Sequence, residues 1–142
     1  MSTYRRILLK LSGEILASDN HNIDPHMLDR VVNIVKPAID MGVEVAIVIG
    51  GGNIFRGVNL ANAGMNRVTG DHIGMLATVM NALAISDAFV RHNIPCQVMS
   101  GLPIGGGVCD SVDHNKAKNA LSQGKVVIFS AGTGSSCFTT DT

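Results

Sequence analysis

The chain has 142 residues, enough for one domain with a real core and too few for two ordinary ones. Hydrophobic residues make up 46%, so burial can offset the entropy of ordering; with 4% aromatics and no Trp, the core must be aliphatic. Eleven basic and eleven acidic residues cancel, so the basic excess of a nucleic-acid binder is missing, although a local cationic pocket for a small anion remains allowed.

The N-terminal stretch MSTYRRILLKLSGE has a five-residue apolar run broken by Lys10, too short for a signal-peptide core. No apolar run approaches the roughly 20 residues of a membrane span. Ile7 to Leu11 is expected to be a buried strand ending at Ser12-Gly13. A polar loop follows at 18–22. Asp24-Pro25 then starts a helix, with Asp as cap and Pro in the first turn. Met27, Leu28, Val31, Ile34, Val35 and Ile39 mark its apolar face. Pro37 predicts a kink or an early stop, and Gly42 punctuates the end. The run VEVAIVI at 43–49 has the pattern of a central parallel strand buried on both faces, and it leads directly into Gly50-Gly51-Gly52-Asn53.

A long helix is expected from about Asp71 to Arg91. A strand over 97–99, a short helix capped by Asp113 and ending near Leu121, and a strand over 126–130 complete the series. Strands alternating with helices predict a three-layer α-β-α sandwich with a mostly parallel central sheet. The chain stops in a polar loop, Thr139-Thr140-Asp141-Thr142, just after a strand, which suggests a single domain over 1–142 cut short at its C-terminus.

Three glycine-rich segments follow predicted strands: Lys10-Leu11-Ser12-Gly13, Gly50 to Asn53, and Ala131 to Gly134. In an open parallel sheet, strand carboxyl ends share one edge, where ligands bind, so these segments should converge. Consecutive glycines let backbone N–H groups approach a phosphate closely, and a helix starting after them would add its dipole. A tight turn is the plainer use of such glycines. Neither G-x-x-x-x-G-K-[ST] nor G-x-G-x-x-G is present.

Lys10 is either a phosphate contact or a solvated edge-strand lysine. Arg56 has the planar fork that suits phosphate, and as an isolated surface arginine it would need no role. Asp71 can accept ribose hydroxyls or simply favour a helix N-terminus. The hydroxyl-rich stretch with Thr133, Ser135, Ser136, Thr139, Thr140 and Asp141 suits a polar ligand or an ordinary loop. Five histidines show no metal spacing. The cysteines Cys96, Cys109 and Cys137, odd in number and without a C-x-x-C pair, are expected to be free thiols in a cytoplasmic protein.

Taken together, ILLKLSGE at 7–14, IGGGNIFRG at 49–57, AGMNRVTGDHIGMLATVMNALA at 63–84, VCDS at 108–111 and SAGTG with FTTDT near the end resemble the bacterial uridylate kinases. These belong to the amino-acid-kinase fold family. The resemblance covers essentially the whole chain. It implies transfer of phosphate from ATP to UMP, giving UDP, with Mg²⁺, in a cytoplasmic homohexamer responsive to a GTP effector.

By that resemblance Lys10, Leu11, Ser12, Gly13, Gly52 and Arg56 face ATP. Gly51, Asp71 and the loop Thr133, Gly134, Ser135, Ser136, Cys137, Phe138, Thr139 and Thr140 face UMP. Lys10, Arg56 and Asp141 lie at the reacting phosphates. Ser135-Ser136-Cys137 stands where such enzymes usually carry Asn-Pro-Phe. The loop at 18–22 lacks their glycines, and Ser86 replaces an arginine. The resemblance also implies that the adenine pocket comes from a C-terminal, ATP-side portion absent from this chain. Two other readings stand beside it: a non-catalytic module that stores or senses a nucleotide or anion, and a kinase of the same fold acting on a carboxylate or carbamate.

Overall fold

The computed structural model describes residues 6–55 and 64–132. The chain forms β1 (Arg6–Leu11), a 3-10 turn (Gly13–Leu16), α1 (Pro25–Asp40), β2 (Glu44–Ile49), α2 (Gly52–Phe55), α3 (Arg67–Arg91), β3 (Cys96–Ser100), β4 (Asp110–Ser111), α4 (His114–Ser122) and β5 (Val126–Ser130). The five strands run in the order β1-β2-β5-β3-β4 and every pairing is parallel.

The period of two along each strand separates the layers. Val45, Ile47 and Ile49 of β2 and Val126 and Ile128 of β5 share a core with Val31, Val32 and Val35 of α1 and with Ala82, Ile85 and Phe89 of α3. Ala46 and Val127 point the other way, onto Ala117, Ala120 and Leu121 of α4. Helices thus cover both faces, giving the expected three-layer sandwich. The small side chains Ala46, Ala117 and Ala120 let α4 lie close to the sheet.

Local signals set the helix starts. The Asp24 carboxylate accepts from His26 N–H at 2.8 Å, with Pro25 in the first turn. The Asp113 carboxylate accepts from Asn115 N–H at 2.8 Å and Lys116 N–H at 3.1 Å. Gly42 (φ +84°) and Gly124 (φ +82°) supply left-handed turns into β2 and β5.

Several expectations change. The helix α1 runs past Pro37 to Asp40. Pro37 lies on the exposed side of the last turns, so the carbonyl that loses its partner can turn to water. The helix α3 begins at Arg67 and not near Asp71. Asn66 caps it, its side chain accepting from Val68 N–H at 2.9 Å and Thr69 N–H at 3.3 Å, and Gly70 is absorbed within the first turns. Asp71 is therefore inside the helix. The run β1 alternates between exposed and half-buried and is not a fully buried strand, because α4 packs over β2, β3 and β5 and leaves the outer face of β1 open. The strand β4 is too short to have left a periodic signal. By length and composition α3 would also pass for a membrane span, but half of its most apolar window is buried in the fold, against β2, β3 and β5 among others.

Candidate functional site

The strands β1, β2 and β5 are neighbours, so their carboxyl ends open side by side at one edge. There the first two glycine segments meet. Gly50 N–H donates to the Leu11 carbonyl at 2.9 Å. A Cβ on Gly13 would lie 2.5 Å from Asn53 Oδ1, 2.8 Å from the Gly50 carbonyl and 2.9 Å from Gly52 N. Any side chain at Gly13 would therefore push the two loops apart.

Gly51 meets α3 in the same way: its Cβ would lie 2.9 Å from Ala77 Cβ and 3.2 Å from the Gly74 carbonyl. Neither Gly13 nor Gly51 has a positive φ, so both serve close approach and not an unusual turn. Ser12 caps the 3-10 turn, its hydroxyl accepting from Glu14 N–H at 3.2 Å. The Glu14 carboxylate reaches Gly52, where an added Cβ would lie 3.2 Å from its Oε1.

Among the described residues the helix after the glycines is α2, Gly52–Phe55, which starts at the last glycine of the loop. Lys10 is the penultimate residue of β1, opposite Val48 in register. It is exposed, not buried, and follows Leu8 on the uncovered face of the edge strand. The expectation of a buried β1 fails there for the reason given above, and of the two readings of Lys10 its exposure agrees with the solvated edge-strand lysine, one residue before the end of β1. Asp71 lies one helical turn before Gly74, hence at the same end of the molecule as Gly51.

Two buried hydrogen-bond systems hold this edge together. Asn53 and Asn81, both fully buried, form a reciprocal amide pair. Asn53 Nδ2 donates to Asn81 Oδ1 at 3.0 Å, and Asn81 Nδ2 donates to Asn53 Oδ1 at 2.7 Å. Their remaining donors reach the Asn22 carbonyl at 2.9 Å and the Gly50 carbonyl at 2.7 Å. Thr78, also fully buried, accepts from Ala131 N–H at 2.7 Å and donates to the Met75 carbonyl at 2.6 Å.

Sequence reasoning gave none of these three residues a role. The available signal was the pair of polar residues at 78 and 81 on the buried face of an otherwise apolar helix. Among the predicted site residues, Leu11, Ser12, Gly13, Gly51 and Gly52 come together, with Lys10 beside them and Asp71 on the adjoining helix end. Arg56, Thr133, Gly134, Ser135, Ser136, Cys137, Phe138, Thr139, Thr140 and Asp141 lie outside the described residues.

Both described thiols are shifted towards the protonated form. Burial pushes Cys96 up to about 11, and burial followed by the nearby Asp110 charge raises Cys109. Neither forms a disulfide.

With this geometry in place, comparison with known proteins is direct. The Amino acid kinase family matches the chain over residues 5–141. The chain belongs to the amino acid kinase family. Within that family it is similar to the uridylate kinase of Ruthia magnifica subsp. Calyptogena magnifica, 66% identical over 142 residues, spanning 100% of this chain and 59% of the relative. The uridylate kinase of Vesicomyosocius okutanii is 59% identical over the same length, which is 60% of its own. The crystal structure of UMP kinase from Bacillus anthracis superposes with a TM-score of 0.88 at 37% identity, covering 96% of this chain and 56% of that one. UMP kinase from Ureaplasma parvum gives 0.87 at 33% identity. The chain thus spans about three fifths of the length of these relatives.

Proposed function

We propose that this domain, as part of a protein of the relatives' length, transfers the terminal phosphate of ATP to UMP and so makes UDP. The supporting observation is the meeting of the β1 and β2 glycine loops beside β5 at one sheet edge, in a fold that follows two UMP kinase structures over nearly the whole chain.

Phosphoryl transfer needs positioning and charge neutralisation more than covalent chemistry. Lys10, Leu11, Ser12, Gly13 and Gly52 are assigned to the ATP phosphates. Gly51, Asp71 and the loop from Thr133 to Thr140 are assigned to UMP. The UMP phosphate supplies its own nucleophilic oxygen, so the protein holds donor and acceptor in line and no general base is required. Lys10 and Arg56 offset charge that moves towards the leaving phosphate, and Asp141 is assigned as an acidic residue near the reacting phosphates.

Mg²⁺ would neutralise phosphate charge when bound. Among the described residues no group of three or more His, Cys, Asp and Glu offers a cage for it. Mg²⁺ is assigned to phosphate and water oxygens, the usual way this ion enters a nucleotide site. The adenine site is assigned to a part of the relatives that this chain does not span. The protein is read as a cytoplasmic homo-oligomer, a hexamer by resemblance, with GTP as effector.

The test is UDP formation from UMP and ATP·Mg²⁺ by the full-length protein, with CMP, an amino acid and carbamate as competing acceptors. UDP formation with UMP preferred is the expected result. UMP binding without turnover would favour a storage or sensing module, and preference for a carboxylate or carbamate would overturn the substrate assignment.

A further inference from the structure

We infer that Thr78 and Asn81 of α3 are positioning residues that fix the loops after β2 and β5 relative to each other. The two lie three positions apart, hence on one helix face, and both are fully buried. Polar side chains in such a place are costly unless every group is paired. Here each is paired, and each is hydrogen-bonded to a different loop of the same sheet edge, Asn81 as donor and Thr78 as acceptor. Asn81 holds the Gly50 carbonyl and, through Asn53, the Asn22 carbonyl of the segment after β1. Thr78 holds the Ala131 N–H.

The helix is also brought close enough to do this. Gly51 has no Cβ, and one placed there would collide with Ala77, the residue next to Thr78. Ala131 itself sits at φ +60°, a left-handed backbone that an L side chain rarely adopts. A residue persists in such a conformation when its surroundings impose it. The Thr78 hydroxyl is the group on its N–H, and Met75 and Val79, on either side of Thr78 in the helix, pack with its methyl. A single rigid helix therefore sets the separation of the two loops, with Thr78 and Asn81 as its two attachment points.

This inference rests on the phosphoryl-transfer reading for its effect on rate, and on the loop geometry alone for its effect on order. The decisive variants are Thr78→Val, which keeps the shape and removes the acceptor for Ala131 N–H, and Thr78→Ser, which restores it. In the full-length protein Thr78→Val is expected to lower kcat for UDP formation by roughly 10- to 100-fold and to raise KM for UMP, while Thr78→Ser recovers most of the loss.

Hydrogen exchange should show faster exchange at Ala131 and Gly132 in Thr78→Val, with the strand amides of β2 and β5 unchanged. Unchanged kcat in Thr78→Val, or a Thr78→Ser variant as impaired as Val, would overturn the inference. If the parent makes no UDP, the substrate reading has failed and exchange alone decides: selective loosening at 131–132 supports the positioning role, and uniform or absent change overturns it. Should Thr78→Val not fold, Thr78→Cys, with its weaker acceptor, is compared with Ser on the same two readouts.

Discussion

Gly13 shows how much of the site is decided at a single position. An added Cβ would meet a carbonyl, an amide nitrogen and the buried Asn53 amide, none of which is the free end of a flexible side chain. Gly13→Ala is expected to destabilise the fold by about 1–3 kcal/mol, the usual range for overpacking, and to weaken nucleotide binding beyond that. Thermal melts with and without UMP measure both effects; an Ala variant as stable and as responsive as the parent would refute the close-approach account. Cys96 makes a second prediction. Burial raises its thiol to about 11, so at pH 7.5 a disulfide reagent should modify Cys96 slowly in the native protein and rapidly after denaturation. Prompt native modification of Cys96 would contradict its placement.

At the level of elements, the helix caps carry a pH dependence. The Asp24 carboxyl is held below its ordinary 3.8, first by a hydrogen bond from the Ser18 side chain and then by the His26 N–H. The Asp113 carboxyl is lowered first by the Lys116 N–H. A carboxylate with a depressed folded value stabilises the fold above the unfolded value of about 3.9, and the contribution disappears as pH falls through the folded value. Melting temperature should therefore drop as pH is lowered below about 4, and Asp24→Asn with Asp113→Asn should flatten that drop while keeping both caps. An unchanged slope in the double variant would show that the caps do not carry it. The core helix face is less forgiving: Phe89 is fully buried between α3 and the sheet core, and Phe89→Ala should cost about 3–5 kcal/mol in denaturant unfolding.

For the whole molecule, the outer side of α3 is the feature with consequences. Leu76, Met80, Leu83 and Val90 are all at least one-third exposed and recur at helical spacing, and Leu8 is 56% exposed on the open face of β1. An apolar stripe of this kind favours association. The protein is expected to sediment as an oligomer at micromolar concentration, and Leu76→Glu with Met80→Glu should shift it towards monomer. A monomeric parent would leave the proposed homo-oligomer without its surface.

The sequence by itself determined the alternation of the longer strands and helices, the caps at Asp24 and Asp113, the glycine stop at 42, and the parallel three-layer arrangement. These rest on local chemistry and short-range periodicity, which are complete within a window of a few residues. It also marked the glycine segments that the sheet edge brings together. The tertiary structure alone decided that Lys10 is exposed, that Asp71 lies inside α3 and not before it, and that Pro37 does not end α1. It alone gave Asn53, Thr78 and Asn81 their work. Burial of an edge strand depends on which helix covers it. A hydrogen bond between residues 28 or 53 positions apart, as in Asn53–Asn81 and Thr78–Ala131, exists only once the chain has closed on itself.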